Sequence, residues 1–148
     1  MKLKAALALL AVVSPLIAHA QFAKPEDAVE YRQSSLFLLG NHFSRLGAVV
    51  KGEQPFNKDE VAKNAELVAT LSKLPWPAFE NGVTTPKSKA KPDAFSNHAK
   101  FKEASDKMEL AVAQLNTAAK GGDLASIKKA FGEAAQTCKS CHDSFRAK

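Results

Sequence analysis

Apolar residues recur along the chain at steps of three and four, the period of a helix with one buried face, over four long segments. The first starts at Pro25 and stops near Gly52. Its stripe is Val29, Arg32, Leu36, Leu39, Phe43, Leu46 and Val50, a regular seam of the kind that packs helices into bundles. Pro25 suits the first helical position, and Glu26 and Asp27 lie in the first turn, where the helix dipole favours acids. The second segment opens at Asn57 with Glu60 three residues on, close to a capping box. It presents Val61, Ala65, Val68 and either Leu71 or Leu74, and ends before Pro75. The third runs to Lys120 with Phe101, Ala104, Met108, Ala111, Leu115 and Ala118 inward, and Gly121-Gly122 stops it. Asp123 caps the fourth, whose stripe is Leu124, Ile127, Phe131, Ala134, Cys138, Cys141 and Phe145. No strand-like alternation interrupts them. Short links join the first pair and the second pair. Between the pairs, Pro75 to about Ser96 forms one long connection with four of the seven prolines. Trp76 and Phe79 predict that its first part is packed down. The predicted fold is all-α, an antiparallel left-handed four-helix bundle.

Ahead of the bundle, Lys2 and Lys4 precede an apolar stretch from Ala5 to Ile17 and the small-residue site Ala18-His19-Ala20. This is the pattern of a cleaved signal peptide over residues 1–20, too short for a comfortable membrane span. The remaining residues, 21–148, are one domain's worth. The full chain carries +6, and loss of Lys2 and Lys4 with no acid leaves +4. No basic stripe is interleaved with aromatics, so nucleic acid is not an expected partner. Lys87, Lys89, Lys91, Lys100 and Lys102 make a local basic patch, either a solvated face or a greeting surface for an acidic redox protein.

The chemistry lies near the end. Cys138-Lys139-Ser140-Cys141-His142 is Cys-x-x-Cys-His, the attachment signature of c-type haem, and it uses both cysteines of the chain. On a helix the two cysteines share a face and His142 lies one turn beyond Cys138, so one flat macrocycle can be tethered twice while the imidazole reaches its iron. A thioredoxin-like redox pair would call for a βαβ pattern, and a zinc site would need a fourth ligand that the neighbourhood does not supply. Haem plus export points to the bacterial periplasm.

Some seam positions are unusual. Arg32 sits on the core stripe, so it either meets an anion such as a haem propionate or snorkels to solvent; Gln33 beside it can share the first task. Leu36, one turn on, is ordinary core or the cover over the iron's free side. Beyond His142, the available sixth ligands are Met108, His42 and His98, and none is well placed beside Leu36. A five-coordinate, high-spin iron follows as the expectation. Phe37 and Leu38 flank the seam and predict either a wide core or an isologous homodimer through the first two helices.

Three stretches together resemble the cytochrome c′ family: Tyr31-Arg32-Gln33-Ser34-Ser35-Leu36, Leu74-Pro75-Trp76-Pro77-Ala78-Phe79, and Cys138 through Arg146. The resemblance covers essentially all of 21–148. It implies His142 as the only protein ligand to iron and Leu36 as the residue hindering the distal face. It also implies Arg32 at the haem edge, Arg146 as the proximal basic residue, and Trp76 and Phe79 packing on the haem. It further implies dimers, nitric oxide and carbon monoxide binding, and the periplasm. A related low-spin group has a methionine ligand in its first helix; this chain has none there. Three functions compete at this point. A gas-binding haem c protein fits best, and an electron carrier is second, since a five-coordinate iron adds reorganisation. An enzyme is third, because peroxide chemistry needs distal acid–base groups where leucine is expected.

Overall fold

The computed structural model describes residues 21–80 and 82–148; the leader expected over residues 1–20 lies outside them. Four long helices form the bundle: α1 (Pro25–Val50), α2 (Lys58–Leu71), α4 (His98–Gly121) and α5 (Leu124–Phe145). The crossing connection is more ordered than its prolines suggest. It contains a 3-10 turn, Trp76–Phe79, and a single-turn helix α3, Asp93–Ser96.

The caps fall where the residue types require. Asn57 accepts from the main-chain N–H groups of Asp59 and Glu60, and the Asp123 carboxylate accepts from Ser126 N, so orphan donors at both helix starts are satisfied. Gly122 ends α4 at φ 80°, in the left-handed region that favours glycine.

The core joins α1, α2, α4 and α5 through Leu39, Leu46, Val61, Val68, Met108, Val112, Leu115 and Ile127. The α4 stripe is rotated from the expected one at its ends. Ser105 and Ala119 are buried there, whereas Ala104 and Ala118 are only half-buried. A seven-residue repeat drifts on a 3.6-residue helix, and burial follows the neighbouring helix rather than the repeat. On α2 the choice falls to Leu71, which packs against the core, while Leu74 is exposed. Phe37 and Leu38 are 70% and 47% exposed, so they do not widen the core. No helix among the described residues is long and apolar enough to cross a membrane.

Neighbouring helices pack along their lengths, except α1 and α5, which meet sparingly. They are pinned at one place. Phe43 of α1 and Phe131 of α5 stack with centroids 4.4 Å apart and planes 13° apart. Gly47 permits it: a Cβ there would stand 3.1 Å from the Phe131 ring.

Candidate functional site: the cleft between the first and last long helices

The crossing segment is bonded to both cleft walls at the far end. Arg32 of α1 donates to Ala78 O and Val83 O, and Lys91 N donates to Phe145 O of α5. The start of α1 and the end of α5 therefore lie at one end of the molecule, and the two helices run antiparallel. This fixes the register from the stacked phenylalanines. Leu36 is two turns back from Phe43, and Cys138 is two turns on from Phe131. Both stand about 10.5 Å from the stack, at 1.5 Å per residue, and so share one level of the α1–α5 boundary. Arg32 and His142 share the next level by the same reckoning.

Leu36 and Cys138 are half-buried and pack against the core; Cys141 is also half-buried, and His142 is exposed at the rim. The cysteines are free thiols. Burial pushes both thiols up from their ordinary pKa, against a Thr137 hydrogen bond that pulls Cys138 down, and Cys138 adds to the rise at Cys141. A redox pair wants the opposite, a stabilised thiolate. Burial pulls the His142 pKa down, and the Arg146 charge adds to this against an opposing pull from Asp143. The imidazole is thus neutral at pH 7, the form that ligates metal. Among the described residues no group of three or more His, Cys, Asp or Glu side chains converges to hold an ion.

Arg32 does not snorkel: it is 2% exposed. Nη1 donates to Ala78 O at 2.8 Å and Val83 O at 2.7 Å, and Nη2 donates to Ser88 Oγ at 3.0 Å. Its guanidinium carbon stands 4.7 Å from the centre of the Phe79 ring and 5.3 Å from that of Phe95. Desolvation lowers its pKa, yet guanidinium is basic enough to stay charged. No Asp or Glu pairs with it among the described residues. A buried, unpaired cation is costly unless an anion arrives. Sequence reasoning found the misplaced charge but missed its carbonyl acceptors, which carry no side-chain signal.

Trp76 supplies a second opening for an anion. Its Nε1 is buried with no hydrogen-bond partner, although buried indole donors ordinarily find one. Its ring leads an aromatic chain, 6.0 Å from Phe101, which lies 4.7 Å from Phe79 and 5.2 Å from Phe145. Phe79 is buried, whereas Trp76 and Phe145 are half-buried. Gln33 is exposed, and its Nε2 donates to Lys87 O at 2.9 Å. Arg146 follows α5, its N–H donating to His142 O, and pairs in a two-residue antiparallel bridge with Ala90. Sequence reasoning had no signal for that bridge.

The other candidate ligands are dispersed over the bundle. Met108 is 5% exposed in the core, His42 Nδ1 lies 2.9 Å from Asn64 Oδ1, and His98 is exposed at the start of α4. The arrangement thus fits a flat, dicarboxylate macrocycle. It offers an apolar wall, two thiols on one face, one neutral imidazole, a buried cation and an orphan donor.

Comparison with known proteins agrees. The family model described as Cytochrome C′ matches residues 27–146. A cytochrome c′ from Rubrivivax gelatinosus is 49% identical over 129 residues, covering 86% of this chain and 100% of that one. Its crystal structure superposes with a TM-score of 0.82, covering 85% and 99% of the two chains. The nitric oxide complex of a leucine-to-alanine variant of the Alcaligenes xylosoxidans protein, 42% identical, also gives 0.82, over 86% and 99%. Fold, attachment motif and relatives converge: this chain belongs to the cytochrome c′ family.

Proposed function

We propose that this chain is a periplasmic gas-binding protein: its haem iron is five-coordinate and high-spin, takes nitric oxide or carbon monoxide, and protects against nitric oxide. The family's cofactor is covalently attached haem c, and the two cysteines provide a single attachment site. Such a haem, held by Cys138, Cys141 and His142, would supply an iron centre able to take a diatomic gas.

The observation that carries the reading is that half-buried Leu36 and Cys138 stand at one level of the sparsely packed α1–α5 boundary, both against the core. Cys138 and Cys141 tether the macrocycle, and His142 is its only protein ligand. Leu36 walls the opposite side, offering neither a ligand nor a hydrogen-bond donor, so a neutral diatomic is admitted and dioxygen, which gains from a distal donor, is disfavoured. Arg32, Gln33 and the Trp76 indole N–H serve the carboxylates, while Phe79 and Phe145 pack against the ring. Arg146 stands one turn beyond His142, where it can steady a ligand on the proximal face. The nitric oxide complex of the Alcaligenes relative supports the gas.

Pairing of two chains belongs to the same proposal. Phe37 and Leu38 of α1 and Leu67 of α2 are exposed, and a Cβ on Gly40 would meet nothing within 4 Å. An isologous contact through α1 and α2 would cover them. Sedimentation at micromolar concentration should give a dimer, and Phe37→Asp a monomer.

Absorption spectra of the haem-loaded protein, ferric and ferrous, with and without nitric oxide, test the central claim. A high-spin spectrum that shifts with the gas is expected. A low-spin spectrum indifferent to it would overturn the reading in favour of an electron carrier, the second function, which the lysines around the cleft favour.

A further inference from the structure

Among the described residues, a single side-chain hydrogen bond joins α1 to α2: His42 Nδ1 lies 2.9 Å from Asn64 Oδ1. Asn64 Nδ2 donates to Glu60 O at 3.1 Å, so the amide is held with its oxygen toward the imidazole. An amide oxygen only accepts, so Nδ1 carries the proton and donates it. The neutral ring is left with a bare lone pair on Nε2. Both side chains are half-buried, beside the core positions Leu39, Leu46, Ala65 and Val68 rather than among them.

This polar pair borders the exposed apolar patch. Leu38 lies one turn before His42, and Leu67 lies three residues after Asn64. Because α1 and α2 are antiparallel, the two offsets point the same way along the bundle, and Leu38 and Leu67 share the level next to the pair. They are 47% and 44% exposed. The charged neighbours are few. Arg45, one turn beyond His42, is exposed and has no acidic partner among the described residues. On α2, Glu60 and Lys63 flank Asn64 and pair with each other at 3.5 Å, and Glu66 turns away to Lys120 of α4. No carboxylate is bonded to the imidazole.

A second proton would fall on Nε2, adding a charge and a donor to the ring. In a single chain, water serves both. Under a second chain packed on Leu38 and Leu67, that water is displaced and Arg45 adds a like charge, so the charged ring becomes the costly form. Protonation and chain pairing therefore oppose one another, as linked equilibria must.

We propose that His42 is a pH switch on the pairing of two chains through α1 and α2: the neutral ring permits the contact and the protonated ring releases it. The proposal rests on the dimer proposed above and adds its regulation. Histidine changes charge at about pH 5–8, and carboxylic side chains lower. Of the other described histidines, His98 lies at the start of α4, away from this face, and His142 is the proposed iron ligand.

Sedimentation equilibrium of the haem-loaded protein at about pH 8 and about pH 5.5 tests the switch. The dimer should weaken by roughly tenfold or more at the lower pH. His42→Gln should pair equally at both, and His98→Gln should respond as the parent does. Should His42→Gln fail to pair at all, Asn64→Asp decides, because its carboxylate would partner the protonated ring and blunt the response. A dimer of equal strength at both pH values, a response kept by His42→Gln or by Asn64→Asp, or one lost in His98→Gln overturns the switch and leaves the dimer standing. A monomer at both pH values at micromolar concentration overturns the dimer beneath it.

Discussion

The two ends of the α1–α5 boundary use the same kind of seam and reach opposite results. At one end Phe43, Gly47 and Phe131 interlock, and the helices touch. At the other, Leu36 stands at the level of Cys138 and Arg32 at that of His142, and Leu36 and Cys138 are only half-buried. The first end is closed by shape: a missing Cβ makes room for a stacked ring. The second is held by a loop, which reaches over from α2 and is latched by one buried guanidinium. Closing a bundle and keeping it open are thus separate tasks, given to different residues on one stripe.

The largest way to break this contrast is at the latch. Arg32→Met keeps bulk but leaves the carbonyls of Ala78 and Val83 without their donor. A loss of about 3–5 kcal/mol is expected in urea unfolding, with faster proteolysis within residues 78–88. Phe131→Ala attacks the closed end; because the ring is half-buried, about 2–4 kcal/mol is expected, and haem attachment should survive. A latch variant no worse than the stack variant would reverse the assignment of tasks.

Gly40→Ala sharpens the comparison with Gly47. Both glycines lie inside α1, but only Gly47 has a ring against it. Alanine at 40 should stabilise the isolated chain by about 0.5–1 kcal/mol through helix propensity, read as a higher unfolding midpoint. If the dimer places α1 against α1, the same methyl group should weaken association, read by sedimentation.

The smallest effect concerns charge at the open end. Burial first, and Arg146 second, lower the His142 pKa. Arg146→Gln should therefore raise it in the haem-free chain, followed by proton NMR of the imidazole. The sign for stability follows. A histidine whose folded pKa is depressed is neutral in both states above its unfolded value near 6.5, and its destabilisation grows as pH falls below that value. Haem-free protein should lose stability through this acid window, and the Arg146 variant should lose less of it.

The helices were legible because a period of 3.6, Asn57, Asp123 and Gly122 write their limits into residue types. The attachment motif was legible because its chemistry needs Cys138, Cys141 and His142 at fixed spacing. Arg32 announced itself as a charge on an apolar stripe. What it binds did not, because the carbonyls of Ala78 and Val83 belong to any residue. The rotation of the α4 stripe onto Ser105 and Ala119 depends on where its neighbours sit, which no single helix encodes. The Ala90–Arg146 bridge is main-chain pairing over a separation of 56 residues, with no side-chain signature.

The placement of the cleft has a consequence for synthesis. Its walls are α1 and α5, the earliest and latest of the long helices to leave a ribosome. While α1, α2 and α4 emerge they can already pair, burying Leu39, Val68 and Leu115, but the pocket does not exist until α5 arrives. Leu36 and its neighbours then wait, uncovered, for the helix that carries the cysteines. Closing that contact is the longest loop closure in the described fold, so it should be late to form and early to open, and the proposed haem seat is the last part of the bundle to become permanent.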